Sequence, residues 1–174
     1  MKTTIRAACS ALGLLGFWIA MDSIAADKAG VDAKTAFARL KTLEGDWKVA
    51  GGGAHPDGKV IYKVTAAGSA LMEDQFPGTD HAMVSMYHLD GDDLRMTHYC
   101  AAGNQPRLKL DREGSTTDVY SFVFDGGTNL NPAKDMHIHS LKITFLDSGK
   151  VESDWGCFMD GKACKATKLA MTRQ

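Results

Sequence analysis

The chain has 174 residues, with 20 basic and 21 acidic side chains, a formal net charge of −1 and 44% hydrophobic residues. Charges that nearly balance and are spread along the chain exclude the basic stripe of a nucleic-acid binder or of a protein that sits on an anionic membrane surface. After the first 25 residues no apolar stretch has the roughly 20 residues a bilayer crossing needs, and neither a long-period repeat nor a low-complexity linker interrupts the chain.

Residues 1–25 read as a secretory signal. Lys2 and Arg6 form a positive start, Ala7 to Met21 carries no charge, and Ser23-Ile24-Ala25 places small residues where a signal peptidase reads. The apolar run is too short to span a bilayer comfortably. A lipoprotein signal has a cysteine at the end of that run, whereas Cys9 lies near its start, so no membrane anchor is expected after cleavage. Residues 26–174 then form one domain with a net charge near −2, once Lys2, Arg6 and Asp22 are set aside. The expected location is the periplasm or the medium.

One helix is predicted next. Asp32 is placed to cap it, Ala33, Ala36, Phe37 and Leu40 recur at helical spacing, and Gly45 is expected to end it at the C′ position. From Asp46 the apolar period changes to two. About ten strands are expected, roughly 46–52, 59–66, 69–76, 81–89, 94–102, 106–112, 118–125, 136–146, 150–158 and 164–173. His55-Pro56-Asp57-Gly58, Asp90-Gly91-Asp92-Asp93, Asp160-Gly161 and similar turn residues separate them. The connections are too short for crossover helices, so the strands form an antiparallel meander. Such a meander makes a sandwich or closes on itself, and closure removes exposed edges.

A short helix entering Gly45-Asp46-Trp47 on the first strand, with Arg173 on the last, resembles the calycin pattern of lipocalins and fatty-acid-binding proteins. The resemblance implies that Trp47 closes the barrel floor and that Arg173 packs over its indole. Gly68-Ser69-Ala70-Leu71-Met72-Glu73, Phe76-Pro77-Gly78-Thr79-Asp80-His81 and Met86-Tyr87-His88-Leu89-Asp90-Gly91 resemble a family of exported bacterial calycin-like proteins of unknown function. So do Thr97-His98-Tyr99-Cys100, Gly103-Asn104-Gln105-Pro106-Arg107 and His137-x-His139. The likeness covers nearly all of 26–174. It implies an all-β, antiparallel up-and-down calycin-like barrel and no particular activity; Cys157 and Cys164 look like an addition to the family pattern.

Alternation assigns faces. The Asp90–Asp93 turn pairs Leu89 with Leu94, Tyr87 with Met96, Ser85 with His98 and Met83 with Cys100 on the more apolar, inward face. In the eighth strand Leu141, Ile143 and Phe145 carry His137 and His139 inward with them, leaving Met136, Ile138 and Ser140 outside. Buried polar groups cost a few kcal/mol each unless partnered, so such an interior is either a satisfied network or a ligand site. The ligand-site reading expects Tyr87, Met96, His98, Cys100, His137, His139 and Trp155 around a cavity with Leu89, Leu141 and Phe145, and Asn104 and Gln105 hydrogen-bonding at its mouth.

Three chemistries remain open. His98, His137 and His139 offer three imidazole nitrogens to zinc with one position free, and haem through one histidine is a related option. Cys100, with His98 on the same face, is a candidate nucleophile for hydrolysis or isomerisation, with Glu73 the nearest acid to orient the imidazole if its strand is regular. A packed, structural envelope module is the duller alternative. The leading expectation is a small, partly apolar ligand held in the barrel.

Cys157 and Cys164 flank Asp160-Gly161, and a two-residue turn there sets them directly opposite. That register separates Trp155 from Leu169 and Met171, whereas a three-residue turn unites those residues and splits the cysteines. A bulge in the last strand reconciles the two, and a Cys157–Cys164 bridge is expected in an oxidising compartment.

Overall fold

A computed structural model of the chain describes residues 30–50 and 58–174. The expected signal and the His55-Pro56-Asp57 turn lie outside the described residues.

The helix α1, Ala33–Lys41, begins where a capping side chain is available: Asp32 Oδ2 accepts from the Thr35 backbone N–H at 2.8 Å. Its buried face is Ala33, Ala36, Phe37 and Leu40. The helix stops earlier than expected, with Thr42 as its C-cap, so Gly45 is not its terminator. Gly45 opens the first strand at φ +132°, where an added Cβ would lie 2.9 Å from the Arg173 guanidinium.

The strands are β1 (Gly45–Val49), β2 (Lys59–Thr65), β3 (Ala70–Gln75), β4 (Met83–Asp90), β5 (Asp93–Tyr99), β6 (Gln105–Asp111), β7 (Val119–Thr128), β8 (His137–Asp147), β9 (Lys150–Met159), β10 (Lys162–Ala163) and β11 (Thr167–Arg173). Strands β1 to β9 pair in chain order, and β11 lies between β9 and β1. The result is a closed antiparallel barrel of calycin type, with the two-residue β10 as an extra piece on β9. The hairpin at Gly91 has the expected register, Leu89 opposite Leu94, Tyr87 opposite Met96 and Ser85 opposite His98.

Arg173 joins the two ends of the chain. It pairs with Trp47, its guanidinium lies 4.5 Å from the indole centroid, and its two terminal nitrogens donate to Glu44 O and Thr42 O at 2.7 Å each. Carbonyls left unpaired by the end of α1 are thereby satisfied by the last strand. Trp47 Nε1 donates to Leu43 O at 2.7 Å, which fixes the indole beneath the helix.

Register shifts set where side chains point. Asp160 and Gly161 both have positive φ, the conformation of a two-residue hairpin turn, so Met159 opposes Lys162 and Phe158 opposes Ala163. Cys157 and Cys164 are bonded, with their Cα atoms 5.3 Å apart. Beyond them the register slips by one residue and Thr167 opposes Trp155, which returns Leu169 and Met171 to the buried side. The strand expected over 164–173 is therefore broken between β10 and β11. A second register shift falls in β8 between Ile138 and Ser140, against Cys157 and Gly156. Among the described residues no helix is long and apolar enough to cross a membrane.

Candidate functional site

The ladder from β2 to β5 lines up one row of polar side chains. Tyr62 opposes Glu73, Glu73 opposes Ser85, and Ser85 opposes His98. All four are buried, none more than 2% exposed. Because β3 is regular, Leu71, Glu73 and Gln75 alternate onto the buried face. Glu73 Oε2 accepts from the Tyr87 hydroxyl at 2.6 Å, and Glu73 Oε1 accepts from Gln75 Nε2 at 2.8 Å. The Tyr62 hydroxyl faces the same carboxyl.

Burial dominates the electrostatics of this row. It raises the Glu73 carboxyl above its usual range, against the opposing pull of the Tyr87 and Gln75 hydrogen bonds. Burial, together with the Glu73 charge, pushes both the Tyr62 and Tyr87 phenols well up. Burial alone lowers the His98 imidazole from 6.5 to about 4, so His98 is neutral at neutral pH. Its Nδ1 is 2.9 Å from Ser85 Oγ, while its Nε2 is buried and has no partner.

His98 lines a cavity of about 110 Å³ at the end of the barrel away from α1. Gln75, Phe76 and Met83 form one wall; Trp155, Thr167 and Leu169 form the other. His98 and Ile138 complete it, and the His98 and Trp155 rings are 5.0 Å apart. Tens of cubic ångströms suffice for a water, so this space holds several atoms of a solute.

The pair on β8 forms a separate cluster. His137 Nδ1 lies 2.8 Å from Asp135 O and must donate to it, which leaves a lone pair on Nε2 for His139 Nδ1 at 3.1 Å. His139 is stacked between Phe124 and Phe158, with centroids 4.9 and 3.9 Å away. Burial and the neighbouring His137 lower its pKa. His137 is fully buried, whereas His139 is half-buried. Among the described residues no three His, Cys, Asp or Glu side chains are grouped to hold a metal ion, so the expected trio of His98, His137 and His139 is not assembled.

Other expected site residues are placed differently from the cavity that the sequence suggested. Tyr87 is committed to Glu73, while Met96, Leu141 and Phe145 are packed in the apolar core. Cys100 is a free, half-buried thiol beyond the end of β5. Gln105 accepts from Thr128 Oγ1 and Asn129 Nδ2 and donates to Gly103 O, so it ties loops together. Asn104 Nδ2 donates to Met136 O at 2.7 Å, and its Oδ1 is buried without a partner. Trp155 does line the cavity. Gln75, Ile138 and Thr167 were not anticipated there: Ile138 and Thr167 come into the wall beside the two register shifts, which alternation alone cannot place. Gln75 was legible in principle, two residues beyond Glu73 on the same face.

Compared with known proteins, the chain matches no family model and no curated protein.

Proposed function

We propose that this protein is an exported binding barrel that takes a small, partly apolar ligand into the His98–Trp155 cavity. The observation that carries the reading is the buried, unpartnered Nε2 of His98. An imidazole nitrogen removed from water without a partner costs about 1–3 kcal/mol, a cost that a ligand hydrogen bond would offset. The residues lining the cavity are mostly apolar, with Gln75, His98 and Thr167 as the polar ones, which is the composition of small-molecule sites. Export is supported by the charge and apolar pattern of residues 1–25 and by the Cys157–Cys164 bond, which persists in oxidising compartments.

The test is native mass spectrometry of untagged protein purified from the periplasm without chelators, beside His98→Phe. The expected result is excess mass on the wild-type chain that the variant, which lacks the Nε2 acceptor, does not carry. A bare wild-type mass, together with Trp155 fluorescence that does not respond to periplasmic small-molecule extract, would overturn the reading.

A further inference from the structure

The cavity and the row beneath it present one sign of charge. Among the described residues no lysine or arginine is buried, and Glu73 is the only buried carboxyl group. Gln75 connects that carboxyl to the cavity. Gln75 Nε2 donates to Glu73 Oε1 at 2.8 Å, which leaves its amide oxygen outside that bond, and Gln75 also lines the cavity. Trp155, Phe76 and Met83 line the same cavity. Ring faces and acceptor oxygens attract cations and N–H donors. A carboxylate placed in the same space would meet no cation and would face Glu73 across Gln75.

We propose that the cavity selects a small organic amine, bound as its ammonium ion, over a carboxylate of the same shape. This rests on the binding reading above and names its ligand class. Two ammonium N–H groups donate to the Gln75 amide oxygen and to His98 Nε2. The second bond requires the His98 tautomer with its proton on Nδ1, donated to Ser85 Oγ. Glu73 supplies the countercharge. The groups facing it are Tyr62 from β2, Gln75 on its own strand, Tyr87 from β4 and, through Ser85, His98 from β5. None of these is a cation at neutral pH, so the bound ammonium is the carboxylate's only positive partner. Burial opposes ionisation of Glu73 in the empty barrel and a bound ammonium favours it, so amine uptake shifts Glu73 towards its ionised form.

Benzylamine, benzyl alcohol and benzoate share one shape and differ in charge, and the Trp155 indole N–H resonance reports each titration. Benzylamine is expected to bind at least about tenfold more tightly than benzoate, with an affinity that rises as pH rises through the Glu73 titration. Glu73→Gln should weaken benzylamine about tenfold and remove that pH dependence. Benzoate binding as tightly as benzylamine, or a wild-type benzylamine affinity that is flat with pH, would overturn the amine assignment and leave the cavity reading standing. These two comparisons use the wild-type chain, so the proposal stays decidable if Glu73→Gln does not fold. Failure of all three probes to shift either Trp155 or His98 would overturn the cavity reading and this one with it.

Discussion

Acid charges His98 in the unfolded chain before it charges the same imidazole in the barrel. An exposed histidine takes its proton near pH 6.5, while burial holds His98 neutral down to about 4. Between those values the unfolded state binds a proton that the folded state does not, so stability falls as pH falls. At about 1.36 kcal/mol per pKa unit, the gap corresponds to about 3 kcal/mol, lost progressively from about pH 6.5 to about pH 4. His98 is 1% exposed, so screening by water does not discount the figure. Glu73 acts with the opposite sign: its raised pKa makes the folded state the stronger proton binder above the usual carboxyl range, so its contribution grows as pH falls. The two effects partly cancel in the wild type, and a single acid titration would mislead. The informative quantity is the unfolding free energy of wild type minus that of His98→Phe, measured by urea denaturation from about pH 8 to about pH 4, because Glu73 is common to both chains. That difference should fall by about 3 kcal/mol across the range. A change below about 1 kcal/mol would refute the buried, neutral His98 from which the site is built.

Arg173→Ala removes two 2.7 Å hydrogen bonds to Thr42 and Glu44 carbonyls and the cation over Trp47. The expected loss is about 2 kcal/mol in urea unfolding, with Arg173→Lys recovering only part because an ammonium lacks the guanidinium fork; a loss under about 0.5 kcal/mol would rule out a closing role. Cys157 and Cys164 are only 7 residues apart, so the chain-entropy estimate for opening the bridge is about 2 kcal/mol. The Cys157→Ser/Cys164→Ser double variant should keep the β-sheet circular dichroism of the wild type and unfold at lower urea, and loss of the fold itself would contradict this small-loop accounting.

Much of the barrel was legible because most of its strands alternate strictly. Asp32, the helical spacing of Ala33 to Leu40, and the Gly91 turn each act through local chemistry, and the register they imply for Ser85 and His98 is the one observed. The partnership of Trp47 with Arg173 followed from resemblance and not from pattern, since no local rule joins residues at opposite ends of a chain. Gly45 was misread as a helix terminator because a glycine soon after a helix has two uses; here its positive φ and missing Cβ make room for Arg173.

The cavity was less legible, and both reasons are physical. A bulge adds one residue to one strand, and every face assignment beyond it depends on that residue. Where a second constraint was present, as with the cysteine pair competing against Trp155, Leu169 and Met171, a bulge could be inferred before its position was known. On β8 no such conflict signalled the shift between Ile138 and Ser140, and Ile138 was assigned to the outside although it lines the cavity with His98. The other reason is Glu73. An acid in an alternating strand can be drawn inward by a regular ladder or turned outward by a bulge, and sequence alone gives the two equal standing. Once β3 is regular, the ladder sets Tyr62, Glu73, Ser85 and His98 in one row, with Tyr87 and Gln75 hydrogen-bonded to the acid. The polar site thus follows from strand pairing, and Glu73, considered in sequence only as a partner for the His98 ring, lies at the centre of the interior network.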